Sequence, residues 1–193
     1  LENKLDPGDP NHHFIHEIKR ESKRCKKIVQ DLLNYARTPQ PEFARTDLNQ
    51  LLDQIISFAA NHTDMHGVRI SKQFIDDLPA LSIDGDQIRQ VAINLILNAG
   101  AAMADGGQLT VKTAQEDGDA VISFADTGSG IAEADLERIF EPFYTTKDRG
   151  TGLGLAITRQ IIEQHQGSIQ MASRLNHGTT VTIRLPLERE EFS

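Results

Sequence analysis

The sequence predicts an α+β protein: a two-layer sandwich in which a mixed β-sheet carries helices on one face. Three observations predict it. Strand-like and helix-like periodicities alternate through most of the chain after residue 47. Two strand-like runs, 109–113 and 120–125, flank the turn signal Glu116-Asp117-Gly118-Asp119, so some neighbouring strands are antiparallel. Ahead of them, residues 11–37 keep three-and-four apolar spacing and end at Thr38-Pro39-Gln40-Pro41, so a separate amphipathic helix precedes the sandwich.

The elements follow in order. Residues 1–5 are too short to assign, and Asp6-Pro7-Gly8-Asp9-Pro10 is a turn cluster. Phe14, Ile18, Cys25, Ile28, Val29, Leu32, Leu33 and Ala36 form the stripe of the first helix, and that stripe needs a partner helix. Most of the charges between them read as a solvated face. Thr46-Asp47 opens a helix over 48–60, and strands are expected at 68–75 and 80–83. A long helix spans 86–103, with Asp86 near its start and Gly106-Gly107 ending it. Residues 131–149 hold only a short helical piece and read as a mobile lid. A helix over 152–165 and strands at 168–173 and 179–185 complete the chain.

Composition narrows the function. At 193 residues the chain fits one ordinary domain plus a smaller element, and 38% hydrophobic residues suffice for a core. A net charge of −8 argues against non-specific nucleic-acid binding, which needs a basic surface. The single cysteine, Cys25, excludes an internal disulfide and fits a reducing compartment. Flanked by Lys23, Arg24, Lys26 and Lys27, it reads as a helix-seam thiol without a redox role. No run of 18 apolar residues is present, and a chain that starts with Leu reads as a fragment.

The chemistry concentrates in three places. Asp126-Thr127-Gly128-Ser129-Gly130 puts one carboxylate at a strand end before a glycine-rich turn. Gly150-Thr151-Gly152-Leu153-Gly154-Leu155 opens a helix. Glycine lets backbone approach a ligand, and the N–H groups at a helix start favour phosphate. Together they describe a nucleotide site, with Asp126 for the base and residues 150–154 for the phosphates. Each alone is weaker: Asp-Thr-Gly-Ser also opens aspartic protease sites, and a Gly-x-Gly-x-Gly run is often a loose turn. No Gly-Lys-Ser/Thr follows, which excludes a P-loop, and no strand leads directly in, which excludes the dinucleotide fingerprint. The third place is the stripe Gln90, Asn94, Asn98, every fourth residue of an otherwise apolar helix. Buried amides are costly unless paired. They either bond neighbouring backbone or face a polar cavity and hold a hydrated cation such as Mg²⁺.

With these residues on the page, the chain resembles the sensor histidine kinases of two-component systems. Residues 94–103 resemble their N-box, 126–130 the G1 box, 140–147 (Phe140-Glu141-Pro142-Phe143-Tyr144-Thr145-Thr146-Lys147) the F-box, and 150–155 the G2 box. Residues 178–186 are similar to the closing strand. The resemblance covers about residues 47–187, and its wording is most like the nitrogen-regulation branch. Residues 21–37 resemble the second helix of the dimerisation and phosphotransfer hairpin. The resemblance therefore implies a helical hairpin segment over 1–40 and a catalytic ATP-binding domain over 41–193. The implied ligands are ATP and Mg²⁺. Asn98 and Asn94 are the implied metal residues. Asp126, Gly128, Gly130, Ile131, Thr145, Thr146, Gly150, Thr151, Gly152, Leu153, Gly154, Leu155 and Thr180 are the implied nucleotide residues. Asn94 and Lys147 are implied in catalysis, and Thr180 is expected to buttress Asp126. Phe140 and Phe143 look like lid anchors. The implied partners are the protein's own hairpin in a homodimer and a response regulator receiver domain. The implied place is cytoplasmic, with membrane contact only through segments outside this chain.

No histidine here reads as the phosphate acceptor. His16 lies in a superficially matching box but lacks the Pro that usually follows, and it sits too close to Leu32-Leu33. His12, His13, His62, His66, His165 and His177 are explained by surface or loop positions. The acceptor helix is expected upstream of Leu1. The alternatives are a degenerate nucleotide-binding module, or a serine kinase or hydrolytic ATPase of the same superfamily. Hydrolytic relatives usually carry Glu where this chain has Asn94.

Overall fold

The computed structural model describes residues 14, 15, 17–19, 21, 22, 25, 26, 29, 32, 33, 40–60, 62–146 and 150–188. The expected first helix falls mostly outside them, but every described residue between 14 and 33 is helical. His12, His13, His16, Ile28 and Ala36 also lie outside. On the described positions Phe14, Ile18, Val29, Leu32 and Leu33 are exposed.

The sandwich then begins with a strand that the sequence reading missed. β1 (Ala44–Thr46) pairs antiparallel with β3 (Leu81–Ile83) in a small separate sheet. At three residues β1 is too short to show alternation. α1 (Leu48–Ala59) is capped by Asp47, whose side chain accepts from the Gln50 N–H. β2 (Val68–Gln73) follows a short 3₁₀ turn at Thr63–Met65. α2 (Gly85–Ala102) is the long helix expected from its apolar run. β4 (Gly107–Glu116) and β5 (Asp119–Asp126) are the predicted hairpin, each longer than expected. α3 (Glu133–Leu136) is the short helical piece of the lid segment. α4 (Gly154–Gln164), β6 (Ser168–Arg174) and β7 (Gly178–Pro186) close the fold. α4 starts two residues later than expected, because Gly152 has φ +68°, outside the helical region.

The main sheet has five strands in the order β2-β4-β5-β7-β6. The β2–β4 pair is parallel and the other three are antiparallel. The sheet is therefore mixed, as predicted. Alternation along the strands decides which side the helices cover. Leu109, Val111, Ile122, Phe124, Val181 and Ile183 are buried and form one core with Leu52, Ile55, Val91, Ile96, Ile157 and Ile161 of the helices. α2 packs between α1 and α4.

A second cluster fixes the corner where β1 enters. Asp84 caps α2 by accepting from the N–H groups of Asp86 and Gln87, 3.0 Å each. Its other oxygen accepts from the Glu42 N–H at 2.9 Å. The Asp84 N–H in turn donates to His165 Nε2 at 3.1 Å, while His165 Nδ1 lies 2.8 Å from the Ile161 carbonyl. The expectation of a loop histidine at 165 is thus corrected. His165 ends α4 and is buried, its ring edge-on to Phe43 with centroids 5.2 Å apart. A neutral imidazole with one donating and one accepting nitrogen satisfies both contacts. Burial raises the Asp84 pKa, but the three N–H donors outweigh it and leave the carboxyl below the usual range.

Candidate nucleotide-binding site

The site is built around the second half of α2. At its C-terminal end lies the turn after β5. Asp126 Oδ1 accepts from the Gly128 N–H at 2.8 Å and from the Thr179 N–H at 3.2 Å. The turn is then tied to its neighbours. Thr127 exchanges hydrogen bonds with Gln108, and the Ser129 N–H donates to the Ala102 carbonyl at 3.0 Å. The Ile131 N–H donates to Ser173 Oγ at 2.8 Å, and Ser173 donates to the Gly178 carbonyl at 3.0 Å.

Packing explains the glycines of this turn. A Cβ on Gly128 would lie 2.6 Å from the Ala102 carbonyl oxygen, and one on Gly130 2.1 Å from that of Arg174. Both glycines let protein backbone approach protein backbone, which holds Asp126 at the end of α2. Sequence reasoning missed Gly178, whose Cβ would fall 1.9 Å from the Asp126 carbonyl oxygen, and it missed Ser173 and Thr179. Gly178 beside two threonines was the available signal.

Thr180 does not meet the expectation placed on it. β5 and β7 pair Ala125 with Thr180, so the period of two puts the Thr180 side chain on the face away from Asp126. The buried neighbour that contacts Asp126 is Thr179, through its backbone N–H.

The second glycine run reaches α2 about two turns earlier. A Cβ on Gly154 would lie 2.5 Å from Asn94 Oδ1, so α4 presses its first residue onto that amide. Asn94 Nδ2 donates to Thr158 Oγ1 at 2.9 Å. Asn98 lies one turn further along α2 and is half-buried. Leu153, at the N-cap position of α4, is buried and gives no side-chain cap. Its N–H makes a long contact of 3.4 Å to Thr151 Oγ1. The first turn of α4 therefore keeps the donor character that favours phosphate. Gly150, Thr151 and Leu155 are half-buried around it.

The described residues of the expected lid segment meet this end at Gly152. The Phe143 N–H donates to the Gly152 carbonyl at 2.9 Å, and Gly152 leaves no room for a Cβ against the Phe143 backbone. Phe143 has φ +68° and is exposed, whereas Ile139 is buried, so Ile139 and not Phe143 anchors the segment. Tyr144 donates to Asp135, and its ring lies under Arg138 at 4.3 Å. Its hydroxyl pKa is raised, chiefly by that bond to Asp135. Thr145 and Thr146 are exposed on the same segment. Lys147 lies outside the described residues.

Spacing along α2 ties the two ends together. Gly154 contacts position 94 and Ser129 contacts position 102. Eight residues of helix rise about 12 Å, which matches a nucleotide with its base at one end and its phosphates at the other. Among the described residues, no group of three or more His, Cys, Asp or Glu could hold a metal ion. An oxygen-seeking cation that keeps waters and substrate phosphates in its shell suits the Asn94 and Asn98 amides better than a closed protein cage.

Residues 83–189 match the family model described as histidine kinase-, DNA gyrase B- and HSP90-like ATPase. The chain is 36% identical over 181 residues to sensor histidine kinase ZraS of Escherichia coli (strain K12), covering 93% of this chain and 39% of ZraS. It superposes on full-length ShkA in complex with AMPPNP with a TM-score of 0.81 and 26% identity, covering 96% of this chain and 40% of ShkA. It also superposes on histidine kinase ThkA in complex with response regulator protein TrrA, with a TM-score of 0.77 and 26% identity, covering 95% of this chain and 53% of that one. The chain thus spans about two fifths of the curated relative's length. Its fold, its motifs and these matches agree that the chain belongs to the histidine kinase-, DNA gyrase B- and HSP90-like ATPase family, among the sensor histidine kinases.

Proposed function

We propose that this chain is the catalytic core of a two-component sensor kinase. It binds Mg-ATP and passes the γ-phosphoryl group to a histidine on a dimerisation hairpin, from which it moves to an aspartate of a response regulator. The convergence of Asp126, Asn94 and Gly154 on one stretch of α2 carries the reading. Asp126 accepts from the adenine edge. The N–H groups of Gly152, Leu153 and Gly154 receive phosphate, with Gly150, Thr151 and Leu155 shaping the turn. Gly128, Gly130 and Ile131 set the base pocket, and Thr145 and Thr146 line the lid side with Lys147. The Asn94 and Asn98 oxygens hold Mg²⁺, which neutralises phosphate charge when bound. Positioning and charge neutralisation are most of what phosphoryl transfer needs.

Residues 1–40 fit the hairpin and 41–193 the ATP-binding domain. The partners are then that hairpin in a homodimer and a receiver domain, a reading supported by the similarity to histidine kinase ThkA, which is solved in complex with response regulator protein TrrA. We place the domain on the cytoplasmic side, where ATP is supplied. No helix among the described residues is long and apolar enough to cross a membrane. Asn94 in place of a water-activating carboxylate disfavours a hydrolytic ATPase.

Incubation with Mg-ATP labelled at the γ-phosphate and an intact acceptor hairpin tests the transfer. Acid-labile label on the hairpin histidine is the expected result. A chain that binds ATP but leaves the hairpin unlabelled would be a binding module, and the transfer reading would fall.

A further inference from the structure

We propose that Thr158 is a positioning residue that fixes which end of the Asn94 amide faces the phosphate end of the site. The proposal rests on the Mg-ATP reading above. An asparagine side chain has nearly the same shape when flipped, so sterics do not choose between its oxygen and its nitrogen. The neighbours choose. Asn94 is gripped by two residues one turn apart on α4, Gly154 and Thr158. Gly154 supplies the room, because any Cβ there would meet Oδ1 at 2.5 Å. Thr158 supplies the orientation, with Nδ2 donating to Oγ1 at 2.9 Å.

The bond runs one way. The Thr158 hydroxyl oxygen accepts from the amide nitrogen at 2.9 Å, so its own proton points elsewhere and its lone pairs face the amide. Thr158 is 1% exposed, so no solvent competes for the hydroxyl. With Nδ2 held, Oδ1 is left at the start of α4, where a cation beside the phosphates needs an oxygen. The flipped amide would aim N–H donors at that cation. Nothing about residue 158 in the sequence shows this role, because it sits one turn beyond the glycine run.

Thr158→Val removes the acceptor and keeps the shape, and Thr158→Ser restores a hydroxyl. Calorimetric titration with AMPPNP, once in excess Mg²⁺ and once in EDTA, separates orientation from structure. Thr158→Val is expected to lose about tenfold in Mg²⁺ affinity for the analogue, a loss worth one buried hydrogen bond, with little change in EDTA. Thr158→Ser is expected to recover most of it. Thr158→Val added to Asn94→Ala is expected to cost nothing further. Equal losses in Mg²⁺ and EDTA would make Thr158 structural and overturn the proposal. If Asn94→Ala lowers the Mg²⁺-dependent affinity and Thr158→Val does not, the positioning role falls and the metal reading stands. If Asn94→Ala leaves the Mg²⁺ dependence intact, the metal reading of Asn94 falls and takes the proposal with it.

Discussion

Asp126 Oδ1 serves the fold by receiving the N–H groups of Gly128 and Thr179. This makes Asp126→Asn an informative change. The amide oxygen can keep both contacts, so the turn should survive, while the second position becomes an NH₂ donor. At an adenine edge that presents a donor, the exchange leaves two donors facing each other in a half-buried place. We expect ATP affinity to fall roughly tenfold to a hundredfold, with the melting temperature nearly unchanged. Calorimetry showing wild-type affinity in a folded Asp126→Asn protein would remove Asp126 from the base pocket. The aspartate and its glycines were legible in the sequence, but the reason for the glycines was not. Sequence suggested a close approach to ligand, whereas Gly128 and Gly130 make room for the carbonyls of Ala102 and Arg174. Contacts between residues far apart in the chain do not show in a local motif, and for the same reason Thr179 was overlooked in favour of Thr180.

At the scale of elements, the α2 cap joins two parts of the chain. The Asp84 carboxylate holds the first turn of α2 and the Glu42 N–H, and its own N–H reaches His165 at the end of α4. Asp84→Ala removes a cap and releases the entry to β1. Caps of this kind are worth about 1 kcal/mol. The folded pKa of Asp84 is depressed, so its contribution is present above the ordinary carboxylate pKa of about 3.9 and is lost as pH falls through the lower folded value. Urea denaturation should therefore separate wild type from Asp84→Ala near pH 7, with the gap closing in strong acid. A gap of constant size down to pH 2 would contradict the assignment. Long periodic elements such as α2 and α4 were readable because their apolar spacing repeats over several turns. β1 was not, because three residues carry no period and its partner β3 lies far along the chain.

For the whole molecule, the two-layer arrangement was legible because the strand periods and the turn at Glu116–Asp119 require a mixed sheet with one covered face. That the two glycine runs meet the same helix was not, since their contacts at Asn94 and Ala102 arise only when α4 and β5 pack on α2. The central claim is that this meeting place is where Mg-ATP binds. Hydrogen exchange over the full chain, with and without saturating Mg-ATP, tests it most directly. We predict that protection rises together at residues 94–98, 126–131 and 150–155, rises over the lid segment 131–151, and stays unchanged on the exposed face of β6. Unchanged protection at residues 94–98, 126–131 and 150–155 at saturating nucleotide would contradict the account.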